Sequence, residues 1–472
     1  RRKCLDAFIV SLNQICDRQE QRWYASTLEL QLVSLDFCGA CRRCPTLHVR
    51  VDRQTPRSLW CPRNSHAAVN KRRREVCVSS RVPAVQAFGV TCALPMEVLL
   101  PRSAIEQRSG SEWQMTGDTS AAGLGSMFWL QRLKWIVFEL DTPVSTAPWP
   151  ASLQQLEFGD EFNQPIAEVE WPASLQQLSF GYRFNQPIAD VVWPASLQHL
   201  SFGDEFNQPI AEVEWPTSLQ HLSFGDEFYQ PIAEVEWPAL LQKLSFGRSF
   251  SRPIAKVAWP AFLQQLSFKG WFDQPLDKVV WPASLQQLSF GVYFNQPIAK
   301  VEWPVSLQQL SFGRYFDRPI ADVMWPTSLQ HLSFGDHFNQ SIAGVAWPAS
   351  LQHLWFGFHF NQTITDVVWP ASLQRLSFGS YFNQSIAEVE WPASLQQLWF
   401  GFFFNQPLDG VLWPASLQKL WFGYRFNQPI AEVVWPPSLQ EVSFGADFEQ
   451  LVAEVTWPAS VRSVSRDGVS LL

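Results

Sequence analysis

The residues whose types invite chemistry are few, and most of them recur. Adjacent acidic pairs stand at Asp160-Glu161, Asp204-Glu205 and Asp226-Glu227, and paired carboxylates are the equipment of general acid–base catalysis. Neighbours on a turn point apart, however, and copies of one pair along a chain read as a solvated stripe able to favour a basic partner. Histidines His199, His221, His331, His353 and His337 are nitrogen ligands of the kind zinc takes, but no cysteine accompanies them and adventitious metal binding is the most they imply. Among these five, only His199 with His221 and His331 with His353 are expected to be neighbours. All eight cysteines (Cys4, Cys16, Cys38, Cys41, Cys44, Cys61, Cys77, Cys92) precede residue 100. The run Cys38-x-x-Cys41-x-x-Cys44, with Cys61, His66 and Cys77, has no familiar zinc spacing, so neither a metal nor a cofactor is expected. There is no glycine-rich phosphate loop, nucleophile elbow or zinc-protease motif. These residues describe a protein that is not an enzyme.

The elements that carry them are copies of one another. Trp-Pro recurs from Trp149 to Trp457 every 22 residues without insertion, which makes fourteen units and the start of a fifteenth. Places are counted from the Trp of each unit. In the unit Trp171 to Val192 the apolar places are 1, 5, 8, 10, 14, 18 and 21, with proline at 2 and 17 and glycine at 11. That punctuation leaves no room for a helix, whereas Leu178-Ser179-Phe180 alternates as a short half-buried strand. A single unit cannot bury enough surface to offset the ordering of its backbone, but stacked units cover one another's open faces. The expected fold is mainly β: a leucine-rich-repeat-like parallel β solenoid with one short strand per 22-residue unit. Three regions are expected: a basic, cysteine-containing and poorly ordered segment over 1–120, an imperfect capping layer over 121–148 built on Leu133-x-x-Ile136-x-Phe138, and the solenoid over 149–472.

Phe158-Gly159 through Phe162-Asn163-Gln164-Pro165-Ile166, followed by Pro172-x-Ser174-Leu175-Gln176-x-Leu178, resembles the FNIP repeat, a relative of the leucine-rich repeat. The likeness covers about two-thirds of the chain, although Trp stands before the proline where an aliphatic residue is usual. It implies a solenoid used for protein interaction. Asparagine at place 15 (Asn163, Asn185, Asn207, Asn295, Asn339, Asn361, Asn383, Asn405, Asn427) reads as the structural ladder of such folds, its amide serving the turns of adjacent layers.

Function is then sought at the places that vary. Places 7 and 9 flank the inward Leu of place 8 and so share the outer face of the sheet. Place 9 is nearly always Ser, but Trp355, Trp399 and Trp421 occupy it in the tenth, twelfth and thirteenth units, beside Phe358, Phe402, Phe403 and Tyr424 at places 12 and 13. Exposed aromatics in neighbouring layers are anchors of interaction hot spots, and these seven form the candidate binding surface. The expected function is a scaffold for a protein partner. An alternative is a substrate-recognition subunit of a ubiquitin ligase, raised by an F-box-like segment, Leu94-Pro95-Met96-Glu97-Val98-Leu99-Leu100, that Pro101 interrupts.

Charge is unevenly shared: residues 1–120 hold 18 Lys+Arg and 11 Asp+Glu, leaving 17 and 32 for the rest, or +7 and −15, which sum to the −8 of the chain. An acidic repeat region argues against nucleic acid. The longest apolar run, Met127 to Leu140, is broken by Arg132, Lys134 and Glu139, so no membrane span is expected. A cytoplasmic monomer is the expectation, with Lys71-Arg72-Arg73-Arg74 raising a nuclear alternative.

Overall fold

The computed structural model describes residues 134–138, 141–147 and 149–471, and before them only short backbone strands at 28–29, 49–51, 89–91, 106–107 and 113–115. The cysteine cluster, the segment at Leu94 and the basic run at Lys71 lie outside the described side chains. The chain divides into two units, 1–159 and 160–472.

In the first unit the strand Trp135–Phe138 pairs in parallel with Gln155–Phe158, Ile136 opposite Leu156 and Phe138 opposite Phe158. The partners are 20 residues apart rather than 22, the two-residue phase shift visible in the sequence.

The second unit is the solenoid. One strand per repeat, from Gln177–Ser179 to Ser463–Arg466, pairs in parallel with the next in strict register, so that each place of one unit meets the same place of its neighbour. Among the described residues there is no α-helix, and the one helical turn is the 3-10 segment Val452–Glu454. Most strands show the burial pattern half-exposed, buried, half-exposed over places 7, 8 and 9, the period-2 alternation of a sheet with one face on a core. Places 5, 8, 10, 14, 18 and 21 form continuous buried columns: Leu175, Leu178, Phe180, Phe184, Ile188 and Val191 in one unit, their counterparts in the others. Within a layer the two phenylalanines stack, Phe180 on Phe184 at 4.0 Å, and between layers Phe184 meets Phe206 at 6.1 Å and 3°.

The prolines and glycine that exclude a helix close the turns. The N–H of Leu175 donates to the carbonyl of Pro172 across the first corner, and that of Phe184 to Gly181 across the second. Glycine is needed at place 11 because a methyl there would overlap the glycine carbonyl of the layer before, as at Gly357 over Gly335. The exception is Lys269, and its neighbour Gly270 takes φ +46° to reset the turn. The place-1 tryptophans form their own column, Trp193 over Trp215 at 6.4 Å and Trp391 over Trp413 at 6.3 Å. Their indole N–H groups, at Trp193, Trp215 and Trp391 for example, are buried with no acceptor among the described residues; Trp193 instead meets Phe202 edge to face. Only at the end of the column does Trp457 donate, to the carbonyl of Val452 at 3.1 Å.

Candidate functional site

Because register is strict, a surface on this solenoid is a set of rows, each row one place read down the stack. On the strand face, Trp355 lies opposite Ser377, Ser377 opposite Trp399, and Trp399 opposite Trp421. All three tryptophans are half-buried on one side of the sheet. They do not form one continuous stack. Trp399 and Trp421 lie face to face at 4.5 Å and 3°. The intervening Ser377 layer leaves Trp355 to contact His353 at 5.4 Å and His331 at 6.2 Å instead.

Beside this row, at the corner after the strand, Phe402 stacks on Tyr424 at 4.8 Å and 4°, and Phe403 meets Phe402 edge-on. Phe358, Phe402 and Tyr424 are 43%, 40% and 42% exposed, large fractions for such rings. Lys419 sits over Trp421 and Arg425 beside Tyr424, and each also pairs with a carboxylate of the next layer, Glu441 at 2.7 Å and Asp447 at 3.1 Å. The seven aromatics thus divide into a compact patch, Trp399, Trp421, Phe402, Phe403 and Tyr424, and a second group at Trp355 and Phe358.

Reading along single units had missed a longer row at place 13. Tyr293, Tyr315, His337, His359, Tyr381 and Phe403 stack in succession at 4.6–5.2 Å. His337 and His359 are therefore a third pair of adjacent histidines, which corrects the expectation of two. The signal was present, six ring-bearing residues at one spacing of 22, but it appears only when the sequence is read by column.

The histidines of place 7 are close enough to interact directly. His199 and His221 stack at 4.3 Å, and the Nδ1 atoms of His331 and His353 are 3.0 Å apart. Burial lowers the pKa of all four, with the neighbouring histidine and Arg375 adding to the effect at His353, which falls to about 4. Burial thus favours the neutral form of these rings, and the spacing of His331 and His353 lets one neutral ring donate to the other. Among the described residues no group of three or more His, Cys, Asp or Glu is placed to hold a metal ion. The early acidic residues serve the turns: Asp226 accepts from the N–H of Arg248 at 3.2 Å and pairs with its guanidinium, and Glu161 pairs with Arg183.

At place 15, Oδ1 of Asn361 accepts from the N–H of Asn383 at 2.9 Å and from Nε2 of Gln384 at 3.0 Å. The same two bonds recur from Asn163, Asn185, Asn339, Asn383, Asn405 and Asn427 to the layers that follow them, and from Asn207 to Tyr229 and Gln230. Asn295 accepts from the N–H of Asp317, and Arg318 reaches its carbonyl. Two carboxylates, Asp273 and Asp317, serve in the same way. Serine at place 4 makes a further ladder that sequence reading had not singled out: Ser196 Oγ donates to the carbonyl of Leu175 at 2.6 Å, and Ser372 to Leu351 at 2.7 Å. Both ladders weaken in one region. Leu240 and Phe262 replace serine and Tyr229 and Ser251 replace asparagine; Ser251 Oγ still accepts from the N–H of Asp273 and from Gln274, but at 3.4 Å, while Tyr229 offers no side-chain acceptor and Arg252 lies over its ring at 4.1 Å and donates to its carbonyl at 2.6 Å.

A parallel ladder of short strands with side-chain amides running down one flank defines a β solenoid of the leucine-rich-repeat type. The chain belongs to the FNIP Repeat family, whose repeats match in nine overlapping segments: 150–183, 162–205, 184–227, 206–249, 272–315, 294–335, 316–359, 360–403 and 404–447. The unmatched gap, 250–271, falls where the ladders weaken. Among solved structures the chain is similar to CroV588, a circular leucine-rich-repeat protein, with 34% identity, a TM-score of 0.54, and coverage of 71% of this chain and 63% of that one. The chain thus spans under two-thirds of that protein's length. Fainter likenesses, to an internalin of Listeria monocytogenes (13% identity, TM-score 0.41, 58% and 81% covered) and to the Toll–Spatzle complex of Drosophila (11%, 0.45, 74% and 53%), add nothing to the argument. No curated protein matches the sequence.

Proposed function

We propose that the solenoid is a non-enzymatic scaffold that takes a protein partner on the patch formed by Trp399, Trp421, Phe402, Phe403 and Tyr424, with Trp355 and Phe358 extending it. The observation that carries this is the pair of ring stacks in two successive layers, Trp399 on Trp421 and Phe402 on Tyr424, left partly open to water. Serine fills place 9 in most other layers, so the fold does not need an indole there. Apolar surface gathered without a structural need is what a partner covers, and flat aromatic rings give contact area at low entropic cost. The place-15 amides are read as structural, since their oxygens are already engaged.

The test compares the proteins retained from a cell extract by the full chain and by W355S/W399S/W421S, with thermal melting of both. Retention lost at an unchanged melting temperature supports the reading. Retention kept at a lowered melting temperature makes the rings packing residues and ends it. The ubiquitin-ligase alternative rests on the segment at Leu94; co-purification with a small adaptor, lost when that segment is deleted, distinguishes it. No helix among the described residues is long and apolar enough to cross a membrane, and a cytoplasmic location is our reading.

A further inference from the structure

Place 20 lies on the turn that closes each layer behind the strand, where the N–H of Val191 donates to Ile188 and that of Val257 to Ile254. Its side chains point outward, and from the first unit to the eighth they are Glu168, Asp190, Glu212, Glu234, Lys256, Lys278, Lys300 and Asp322, all exposed. Four acids are followed by three lysines without an interruption. Elsewhere five cations pair with a carboxylate of an adjacent layer, Arg183 with Glu161, Arg248 with Asp226, Arg314 with Asp336, Lys419 with Glu441 and Arg425 with Asp447. Place 20 has no such pairs: among the described residues none of these eight has an ion-pair partner, not even Glu234 and Lys256 where the sign changes.

Such a row is complementary to itself in reverse. We infer that this face binds a second copy of the chain, antiparallel, about a two-fold axis that crosses the stack between the layers of Glu234 and Lys256. A two-fold interface sets the same patch against itself. The reversal brings Glu234 opposite Lys256 of the other copy, Glu212 opposite Lys278 and Asp190 opposite Lys300, and the symmetry repeats each pair. Six ion pairs then span six layers, or roughly 29 Å at about 4.8 Å per layer. The neighbouring place-22 row accepts the same register without a clash of like charge: Glu236 meets Ala258, Glu214 meets Val280, and Val192 meets Glu302. Val192 and Val280 are 80% and 78% exposed in the single chain, and the second copy covers them.

Other registers are worse. A parallel arrangement sets lysine on lysine. Moving the axis onto the Glu234 layer sets that residue against itself, and moving it between Lys256 and Lys278 opposes those two. The chosen register ends where Glu168 would face Asp322, which limits the contact to the six layers between them.

Ion pairs at a surface are individually weak and are screened by salt, so the dimer is salt-sensitive. Sedimentation velocity of the full chain at about 0.05 M and about 0.5 M NaCl should show self-association at low salt, weakened about tenfold or more at high salt. K256E/K278E/K300E and D190K/E212K/E234K should each be monomeric alone and form a heterodimer when mixed, because one presents an all-acidic row and the other an all-basic one. W355S/W399S/W421S should dimerise as the natural chain does, which separates this interface from the aromatic patch. A natural chain that stays monomeric at low salt up to roughly 0.1 mM overturns the inference, as does an association that salt leaves unchanged. So does a mixture of the two charge variants that fails to assemble while each retains the melting temperature of the natural chain.

Discussion

Replacing Asn361 by alanine removes one oxygen, leaves the Asn383 N–H without its acceptor, and takes one of two bonds from Gln384 Nε2, which still donates to the carbonyl of residue 361. Its Oδ1 is the acceptor for the N–H of Asn383 and for Nε2 of Gln384, while its own N–H still donates to Asn339 at 2.8 Å. A backbone N–H left without an acceptor in a part-buried site costs about 1–3 kcal/mol, and the loss of the second, more accessible bond about 0.5–1 kcal/mol. N361A should therefore destabilise the layer by about 1.5–4 kcal/mol. N361D should cost less than about 0.5 kcal/mol, because Asp273 and Asp317 accept the same two bonds at 2.9–3.0 Å in their own layers. Stability in a stacked array is a nearest-neighbour property, so the loss should be local. Hydrogen exchange read residue by residue should show the Asn383 amide opening about ten- to a hundredfold faster in N361A, with amides near Asn207 unchanged. If N361D costs as much as N361A, or N361A costs nothing measurable in guanidinium unfolding, the oxygen is not holding the layer and the ladder has been misread.

Four further outcomes follow from the same geometry. Restoring the interrupted ladder with Y229N/R252Q adds two bonds to a place-15 amide oxygen and gives up the bond from Arg252 Nε to the Tyr229 carbonyl with a cation–π contact of about 0.5–1 kcal/mol; a net gain of about 0.5 kcal/mol in guanidinium unfolding is expected, with slower exchange at Ser251. G357A drives a methyl into the Gly335 carbonyl and should cost about 3 kcal/mol, whereas G357K/F358G, which copies the Lys269-Gly270 turn, should recover part of that in the same assay. The histidine pairs predict a pH dependence: the folded state holds His353 at about 4 while the unfolded chain protonates near 6.5, so stability present above that value is lost as pH falls from about 6.5 to about 4. The difference in urea midpoint between pH 7.5 and pH 5 should shrink in H331Q/H353Q, which installs the glutamine that other layers, such as those of Gln309 and Gln397, carry at place 7. Finally, W355S/W399S/W421S should weaken a bound partner at least about a hundredfold, from about 2 kcal/mol or more per anchor ring, as titrated by calorimetry.

What the sequence made legible was whatever repeats within one unit. Trp-Pro every 22 residues, the Leu-x-Phe alternation and the place-15 asparagines announce layers, an inward face and a polar flank before any coordinates are known. What it hid was whatever acts between units, because the contacting residues are 22 or 23 apart and look unrelated along the chain. Ser196 reaching Leu175 is such a contact, and so is the stack of Tyr315 on His337. Trp355 shows the limit of counting alone. It shares its place with Trp399, yet the single Ser377 layer between them decides that it packs against histidines. Tyr229 and Arg252 are likewise legible only as a pair, since the guanidinium covers the ring and keeps only the carbonyl bond of the usual Gln–Asn contact.

The place-1 column carries a consequence of another kind. Its indoles lie 6.3–6.5 Å apart and nearly parallel, closing to 5.0 Å between Trp435 and Trp457, and most of their N–H groups meet no acceptor among the described residues. Light absorbed at one ring will hop to its neighbours before it is emitted, and because successive rings are nearly parallel each hop turns the direction of emission only slightly, so excitation passes along the stack with its polarisation largely kept. A single tryptophan replaced by leucine in mid-column removes one ring and interrupts the path. The protein in this way carries an internal optical gauge of how many of its layers are intact.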